Sequence, residues 1–460
     1  MLRSPSITRS GGATKSADTF GCRSFRQMKW PSKLRPSWLL RHTLVQNTLS
    51  LYGVSLPNYL VPILLIPYLA RVLGATGWGL VAFAQAFGSY LSVAVEFGFF
   101  LSASRDVARN RHDREKLGEI LAGVLGARAI LCVGCILVAI TAGIWVPIFR
   151  QQSGLMAASM YWGLVQGFSM SWFFQGLERM KLVAALEIPA QLLGIIGIFV
   201  FVHRPEDAWL VLVIQGSAYG LPAVIELMLA YREAPFRLPT FSSMWQAFRM
   251  GTSMFVYRGA LTLYTGGNAL ILGFFVPPQF VGYYAAAEKL SRASYRLLNP
   301  VTQALFPRMS YLVEHAREKA QQLARVGGIV VGIAGLGLSL AIFLSAPWLI
   351  KIIVGPEFAP AVPLLRILAI VPALVAIWQV YGTQWMLPLG MDRAFNSVVL
   401  LAGGVNVVLA LILVPHYADF GMAWTAVVSE AVIAIGFYLT LRYYKLDPFQ
   451  PLLEAEEVAR

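Results

Sequence analysis

The stretch YYAAAEKLSRASYRLLNPVTQALFP, residues 283–307, has the length and the flanks of a membrane-spanning helix. It nevertheless carries four charged side chains, those of Glu288, Lys289, Arg292 and Arg296. A charge at the centre of a bilayer costs at least ~2.5–3.5 kcal/mol, so such residues face a bundle interior or a wet cavity rather than lipid. The stretch therefore predicts a helix that lines a polar space inside a membrane protein.

The composition of the whole chain indicates an all-α polytopic membrane protein. Of its 460 residues, 57% are hydrophobic and only 13% are charged, and the mean hydropathy is +0.63. Apolar runs of roughly 20 residues, the length that crosses a bilayer as a helix, recur along the chain. The pattern predicts about twelve transmembrane helices, at 44–70, 79–103, 118–146, 155–176, 182–202, 208–230, 252–276, 281–306, 327–347, 363–387, 394–414 and 422–441.

The distribution of Lys and Arg predicts that both termini are cytoplasmic. With the N-terminus inside, 27 of the 37 basic residues fall on the inner side of the predicted spans, 4 fall on the outer side and 6 lie within spans. Cytoplasmic loops of membrane proteins carry such an excess. Most of the net charge of +14 thus reflects the orientation of the chain in the membrane rather than a nucleic-acid-binding surface. We therefore expect membrane lipids and no nucleic acid as partners.

A weak internal repeat predicts two pseudo-symmetric lobes of six helices each. A shift of 203 residues aligns Gly79 with Gly282 and Gln85 with Glu288. Transporters often contain such repeats and handle their substrate between the two halves. The predicted organisation is a basic, disordered cytoplasmic tail at 1–43, an N-terminal lobe at 44–230, a cytoplasmic linker at 231–251, a C-terminal lobe at 252–441 and a cytoplasmic tail at 442–460. A transit peptide is an alternative interpretation of the basic tail.

The polar residues of the opening stretch form one stripe. At 100° per residue and with Glu288 at 0°, Asn299, Arg292 and Arg296 lie within about 80° of it, and Lys289 lies at the rim. One face of that helix is therefore expected to meet a cavity. A structural alternative is that Glu288 and Arg292, four residues apart, only pair with each other on the helix surface.

The repeat places a matching stripe on the span at 79–103. It consists of Gln85, Ser89, Ser92 and Glu96. Further polar residues lie within spans at Asn58 and Arg258. Excess guanidinium in a cavity suits an anionic substrate, because the planar fork of Arg can bind phosphate oxygens in a bidentate manner.

No chemistry of bond making is indicated by the sequence. We find no Walker A sequence, no hydrolase elbow and no metal-ligand cluster, so we expect neither an enzyme nor a bound metal or other cofactor. Cys132 and Cys135 have a C-x-x-C spacing, but they lie in an apolar helix without a nearby histidine. We interpret them as packing residues.

Four stretches carry a resemblance to a known family: NTLSLYGVSLPNYLVPILLIPYLARVLGATGWG (47–79), VEFGFFLSASRDVARNRHDREKL (95–117), FFQGLERMK (173–181) and GYYAAAEKLSRA (282–293). The chain resembles, over about residues 44–445, the polysaccharide biosynthesis branch of the multidrug/oligosaccharidyl-lipid/polysaccharide exporter superfamily. These proteins are Wzx-type flippases for O-antigen and related repeat units.

The resemblance implies a multi-pass transporter of the bacterial inner membrane that works by alternating access. Spans 1, 2, 7 and 8 would line a central cationic cavity, and the substrate would be an oligosaccharide on undecaprenyl diphosphate. The expected diphosphate ligands are Arg258, Lys289, Arg292 and Arg296. The expected sugar ligands are Asn58, Gln85, Ser89, Ser92 and Asn299. The residues expected to balance charge and to couple transport to H⁺ or Na⁺ are Glu96 and Glu288.

Two other functions are open from the sequence. One is a cation-coupled exporter of drugs or metabolites from the same superfamily. The other is a membrane enzyme or assembly partner in polysaccharide synthesis. Polysaccharide polymerase and chain-length proteins are further expected partners of a flippase.

Overall fold

The computed structural model describes the backbone of residues 37–450. It describes the side chains of residues 64–450 apart from eight positions between 253 and 265. Within these limits the regular secondary structure is entirely helical, as expected. Every contact described below lies within one compact unit, which begins at residue 46. The prediction for residues 1–36 and that for the side chain of Asn58 lie outside the described part.

Sixteen α-helices make up the described bundle. They are α1 (Ser37–Glu96), α2 (Phe99–Arg109), α3 (Arg114–Trp145), α4 (Pro147–Gln151), α5 (Ser153–Gly167), α6 (Ser171–Gly176), α7 (Met180–Phe201), α8 (Ala208–Glu233), α9 (Phe241–Gly266), α10 (Asn268–Phe275), α11 (Pro278–Arg296), α12 (Asn299–His315), α13 (Arg317–Leu349), α14 (Ala361–Leu368), α15 (Val371–Trp378) and α16 (Asp392–Tyr443). Between them lie π-helical segments at Ile350–Val354 and Gln379–Met386 and 3₁₀ turns at Pro205–Asp207 and Pro356–Phe358.

Two of the helices are broken by a residue with positive φ. At Gly74 φ is 65° and ψ is 179°, a conformation that glycine adopts at little cost because it has no Cβ. At Ala418 φ is 51° and ψ is −130°. We therefore divide α1 into α1a (37–73) and α1b (75–96), and α16 into α16a (392–417) and α16b (419–443).

The described helices cover all twelve predicted spans. Among the residues that the structure describes, seven stretches are long and apolar enough to cross a membrane, judged by length and composition alone. Other predicted spans consist of shorter consecutive helices, such as α11 and α12, which meet at a break after Arg296. The multi-pass helical fold is thus observed, while the number of twelve crossings stays a prediction.

Helices extend into the stretches predicted as the N-terminal tail and the linker, while the division into two lobes stays a prediction. Residues 37–43 belong to α1, and within the linker predicted at 231–251 only residues 234–240 lie between helices, because α8 ends at Glu233 and α9 begins at Phe241. The cause is a capping box. The Ser243 amide donates to Thr240 Oγ1 at 3.2 Å, and the Thr240 amide donates to Ser243 Oγ at 3.1 Å. These hydroxyls satisfy the first amides of the helix, so a polar stretch starts a helix rather than a loop.

The outer surface of the bundle is apolar. Large apolar side chains on α3, α7 and α13 are exposed, for example Val133, Leu193 and Ile333. A soluble protein seldom presents such a continuous apolar surface, whereas a bilayer requires it. The structure thus confirms the membrane location predicted from composition.

The two ends of the bundle differ in their contacts. At the end that contains the break at Gly74, called here the Gly74 end, the Tyr68 hydroxyl donates to the Val202 carbonyl at 2.7 Å. At the opposite end, called here the Arg111 end, ion pairs join Arg111 to Glu178 at 3.3 Å and Arg179 to Glu233 at 2.5 Å. The Arg111 end is the one predicted to be cytoplasmic.

The backbones of α1b and α11 cross in direct contact near the Gly74 end. A Cβ added to Gly79 would lie 1.8 Å from the carbonyl oxygen of Pro278, and one added to Gly282 would lie 2.0 Å from that of Ala75. The shift of 203 residues relates position 75 to 278 and position 79 to 282. Each glycine therefore contacts the residue that is equivalent to the one contacted by the other glycine. We call this contact the glycine crossing. Only glycine permits this approach, since any side chain would overlap backbone of the partner helix.

The glycine crossing predicts the effect of adding one methyl group. Gly79→Ala should destabilise the protein by about 1–3 kcal/mol, because the methyl group overlaps a carbonyl that cannot rotate away. The matched control is Gly332→Ala on α13, where a Cβ meets nothing within 4 Å. Thermal unfolding in one detergent compares them. Equal melting temperatures for the two variants would contradict the crossing.

Candidate functional site

A hydrogen-bonded cluster surrounds Glu288 on α11. Arg292 Nη2 donates to Glu288 Oε1 at 2.9 Å, one turn along the helix. The Tyr284 hydroxyl donates to the same oxygen at 3.2 Å. Asn268 Nδ2 at the start of α10 donates to the Tyr284 hydroxyl at 3.0 Å and reaches Glu288 at 3.5 Å. The structure thus contains the Glu288–Arg292 pair that the sequence predicts. It also shows two neutral donors, Tyr284 and Asn268, that stabilise the carboxylate.

Lys289 points from α11 towards the N-terminal half of the chain. Its Nζ lies 4.1 Å from the centroid of the Trp78 ring, within range of a cation–π interaction. The same Nζ donates to Gln85 Oε1 at 3.4 Å, and Gln85 Nε2 donates to Gln215 Oε1 on α8 at 2.9 Å. Three elements far apart in sequence, α1b, α8 and α11, therefore fix the position of this ammonium group.

A cavity of about 760 Å³ opens beside these groups. We call it the central cavity. Its polar residues are Gln85, Gln215, Glu288, Lys289, Arg292, Ser294 and Arg296. Its apolar wall includes Leu65, Ile66, Leu69, Ile342, Leu349 and Ile353. The formal charge of its lining is net positive by two, since three cations face one carboxylate, so the cavity combines an anion-attracting side with an apolar side.

A smaller chamber of about 50 Å³ lies on the other side of α11. Glu288 and Arg292 line both spaces, and here they are joined by Asn268, Tyr295 and Glu430 of α16b. The indole of Trp378 donates to Glu430 Oε2 at 2.9 Å. Arg292 thus stands between the central cavity and a chamber with a second carboxylate.

Arg258 and Glu96 form a separate pair. Arg258 Nε lies 3.5 Å from Glu96 Oε2, and the other carboxylate oxygen accepts from the Phe100 amide at 2.8 Å. Glu96 ends α1b, so this pair joins α1b to α9 rather than to the Glu288 cluster. Neither residue is among those that line the central cavity.

The predicted sugar ligands are only partly brought together. Gln85 lines the central cavity, whereas Ser89 donates to the Gln85 carbonyl at 2.8 Å and Ser92 is buried. Asn299 accepts from Gln379 Nε2 at 3.2 Å. Ser89, Ser92 and Asn299 do not line the central cavity as the structure describes it. Their roles as sugar ligands stay predictions.

Sequence reasoning missed several residues of the site. Trp78 contacts Lys289, Gln215 hydrogen-bonds the Gln85 amide that accepts from Lys289, and Asn268 and Glu430 complete the Glu288 side. Spans 6 and 9 also line the central cavity, which the expectation of spans 1, 2, 7 and 8 did not include. The signal for Gln215 and Glu430 was a lone polar side chain inside an apolar span, which by default marks a functional position.

Comparison with known proteins adds the family. The sequence profile described as "Polysaccharide biosynthesis protein" matches residues 44–313. The chain belongs to the polysaccharide biosynthesis protein family. A relative from Escherichia coli (strain K12) named as an O-antigen transporter is 30% identical over 411 residues, covering 88% of this chain and 98% of the relative. A second O-antigen transporter by name, from Shigella dysenteriae, is 28% identical, covering 85% of this chain and 98% of the relative.

Solved structures show which fold this family member has. An inward-facing multidrug resistance MATE transporter of the MOP superfamily matches with a TM-score of 0.58 at 16% identity, covering 85% of this chain and 100% of that one. The lipid II flippase MurJ in an inward closed conformation matches with a TM-score of 0.55 at 12% identity, covering 83% of this chain and 87% of that one. The family resemblance is confirmed, and these relatives are transporters and flippases rather than enzymes.

The Glu288–Arg292 pair predicts non-additive effects on stability. Glu288→Gln should destabilise the protein by about 1–3 kcal/mol, because Arg292 loses its charge-assisted hydrogen bond to this carboxylate. The double variant Glu288→Gln/Arg292→Gln should lose less than the sum of the two single variants. Glu314→Gln on the exposed end of α12 serves as the control. Additive changes in melting temperature would show that the pair carries no coupling energy.

Proposed function

We propose that the protein is a flippase that moves an oligosaccharide linked to undecaprenyl diphosphate across the bacterial inner membrane for surface polysaccharide synthesis. The observation that carries the proposal is the central cavity, which holds three cationic side chains opposite an apolar wall in a chain of the polysaccharide biosynthesis family. A lipid-linked diphosphate presents the complementary chemistry, with an anionic group between an apolar tail and a polar glycan.

The proposed topology has twelve spans in two six-helix lobes with both termini in the cytoplasm. The Arg111 end then faces the cytoplasm and the Gly74 end faces the periplasm. The Lys and Arg bias supports this orientation. The repeat supports two lobes, because the glycine crossing joins positions that the shift of 203 residues makes equivalent.

Arg292 and Arg296 are the proposed diphosphate ligands, with Lys289 as a fixed positive charge beside them. Both guanidinium groups lie on one face of α11 and can present planar donor forks to phosphate oxygens. Trp78 and Gln85 hold the Lys289 ammonium group in place before substrate arrives. Such preorganisation reduces the entropy lost on binding.

Glu288 is the proposed partner that the diphosphate displaces. Its Oε1 accepts a charge-assisted hydrogen bond from Arg292 Nη2 at 2.9 Å, so a bound diphosphate would compete with this carboxylate for the guanidinium group. Protonation of Glu288, or replacement of the Arg292 guanidinium group by Na⁺ at this carboxylate, would make Arg292 available to the substrate. Either event would link transport to an ion gradient. Glu96, which pairs with Arg258 near the Arg111 end, is a second candidate for such coupling.

Reconstituted liposomes test the function directly. Purified protein is incorporated with a fluorescent undecaprenyl-diphosphate oligosaccharide, and the fraction that becomes accessible to an impermeant glycosidase is measured with and without imposed ion gradients. Arg292→Gln/Arg296→Gln should reduce the initial rate about tenfold or more, because two charge-assisted hydrogen bonds to phosphate are lost.

The matched control removes two basic residues elsewhere. Arg317→Gln/Lys319→Gln lowers the net charge equally at exposed positions on α13, and it should leave the rate unchanged. If the folded wild type moves no lipid-linked oligosaccharide under any gradient, the flippase proposal is wrong. Transport of a cationic drug in its place would identify an exporter.

A further inference from the structure

A second large cavity, which the proposed function does not use, lies at the Gly74 end. Its volume is about 910 Å³. We call it the vestibule. Its walls are residues 73–77 at the break of α1, residues 151–155 between α4 and α5, and residues 205, 206, 208 and 209 at the start of α8. Gln279, Tyr283 and Glu357 complete it from the C-terminal half of the chain.

The charge of the vestibule is opposite to that of the central cavity. Two carboxylates, those of Glu206 and Glu357, line it, and no Lys or Arg is among its described lining residues. The Glu357 carboxylate lies over the break in α1, since Oε2 is 3.3 Å from the position of a Cβ on Gly74. These two carboxylates favour neutral or cationic groups over a diphosphate along this lining.

The remaining lining residues suit the surface of a sugar. Trp209 is 42% exposed, so part of its indole is open to a ligand, and amphipathic rings of this kind offer a flat apolar face. Gln151 and Gln152 are exposed amides, each with both donor and acceptor atoms for hydroxyl groups. On the opposite wall, Gln279 Nε2 donates to the Tyr283 hydroxyl at 2.6 Å.

The vestibule and the central cavity are separated by the glycine crossing. On α1b, Gly77 and Leu80 line the vestibule, whereas Trp78 and Gln85 line the central cavity. On α11, Tyr283 lines the first space and Lys289 lines the second. The two spaces thus lie on either side of one contact between backbones.

We propose that the vestibule binds the glycan of the transported lipid-linked oligosaccharide, with a preference for neutral or amino-bearing sugars that carry no phosphate. The inference rests on the proposed function for the identity of the ligand. The glycan occupies the anionic vestibule and the diphosphate is held by the cationic central cavity. The two sites recognise different parts of one molecule, which extends across both when the glycine crossing opens.

Binding measurements with soluble probes separate the two sites. The full chain in nanodiscs is titrated by calorimetry with the trisaccharide of N-acetylglucosamine, with its deacetylated glucosamine counterpart and with inorganic pyrophosphate. Both trisaccharides should bind, and the cationic one should bind about three- to tenfold more tightly because of the two carboxylates. Glu206→Gln/Glu357→Gln should abolish that preference and leave pyrophosphate binding unchanged.

Three further variants complete the test. Trp209→Leu should weaken both trisaccharides, and Arg292→Gln/Arg296→Gln should weaken only pyrophosphate. Glu314→Gln/Glu318→Gln removes two exposed carboxylates at the Arg111 end and should alter none of the three affinities. If neither trisaccharide binds the wild type, or if the Glu206/Glu357 variant keeps the preference, the vestibule proposal is overturned. If trisaccharides bind but pyrophosphate does not, the vestibule stands and the diphosphate site of the proposed function fails.

Discussion

An ionised side chain within a membrane protein requires compensation by an opposite charge, by polar donors and acceptors or by water. The site is organised around this constraint. Glu288 compensates Arg292, Trp78 and Gln85 compensate Lys289, and Glu96 compensates Arg258. The first pair lies within α11, whereas the contacts of Lys289 and Arg258 join α11 to α1b and α9 to α1b. The charges therefore hold the helices of the interior in one arrangement while apolar side chains face the bilayer.

Positive and negative side chains are unevenly distributed between the two large cavities, and this difference determines which ligand each cavity suits. The central cavity keeps a net positive lining, while the vestibule lining is negative. An apolar core without charges would be more stable, because desolvation of an ion pair often exceeds the gain from pairing. The presence of both charged cavities in one bundle is explained if each binds a chemical group of the charge opposite to its lining.

The sequence was sufficient for the class of fold and for the polar face of α11. A 3.6-residue period and the cost of charge in lipid are local properties, so the stripe of Glu288, Arg292 and Arg296 could be read from one stretch. The repeat that aligns Gly79 with Gly282 was also visible in the sequence. The close contact between these two glycines was not. Lone residues such as Gln215 and Glu430 carry no periodic signal, and only the packing of α8 and α16b brings them to the site. Likewise, the capping of α9 at Thr240 decided a boundary that composition had assigned to a linker.

Trp78 precedes Gly79 by one residue, so the ring that covers Lys289 is attached to the backbone that makes the glycine crossing. If the proposed transport cycle separates α1b from α11 at the crossing, the indole and the ammonium group separate as well. Exposure of this cation and the opening of the Gly74 end are then two descriptions of one equilibrium. By thermodynamic reciprocity, an anion that prefers the uncovered ammonium group favours opening by the same factor by which opening raises its affinity.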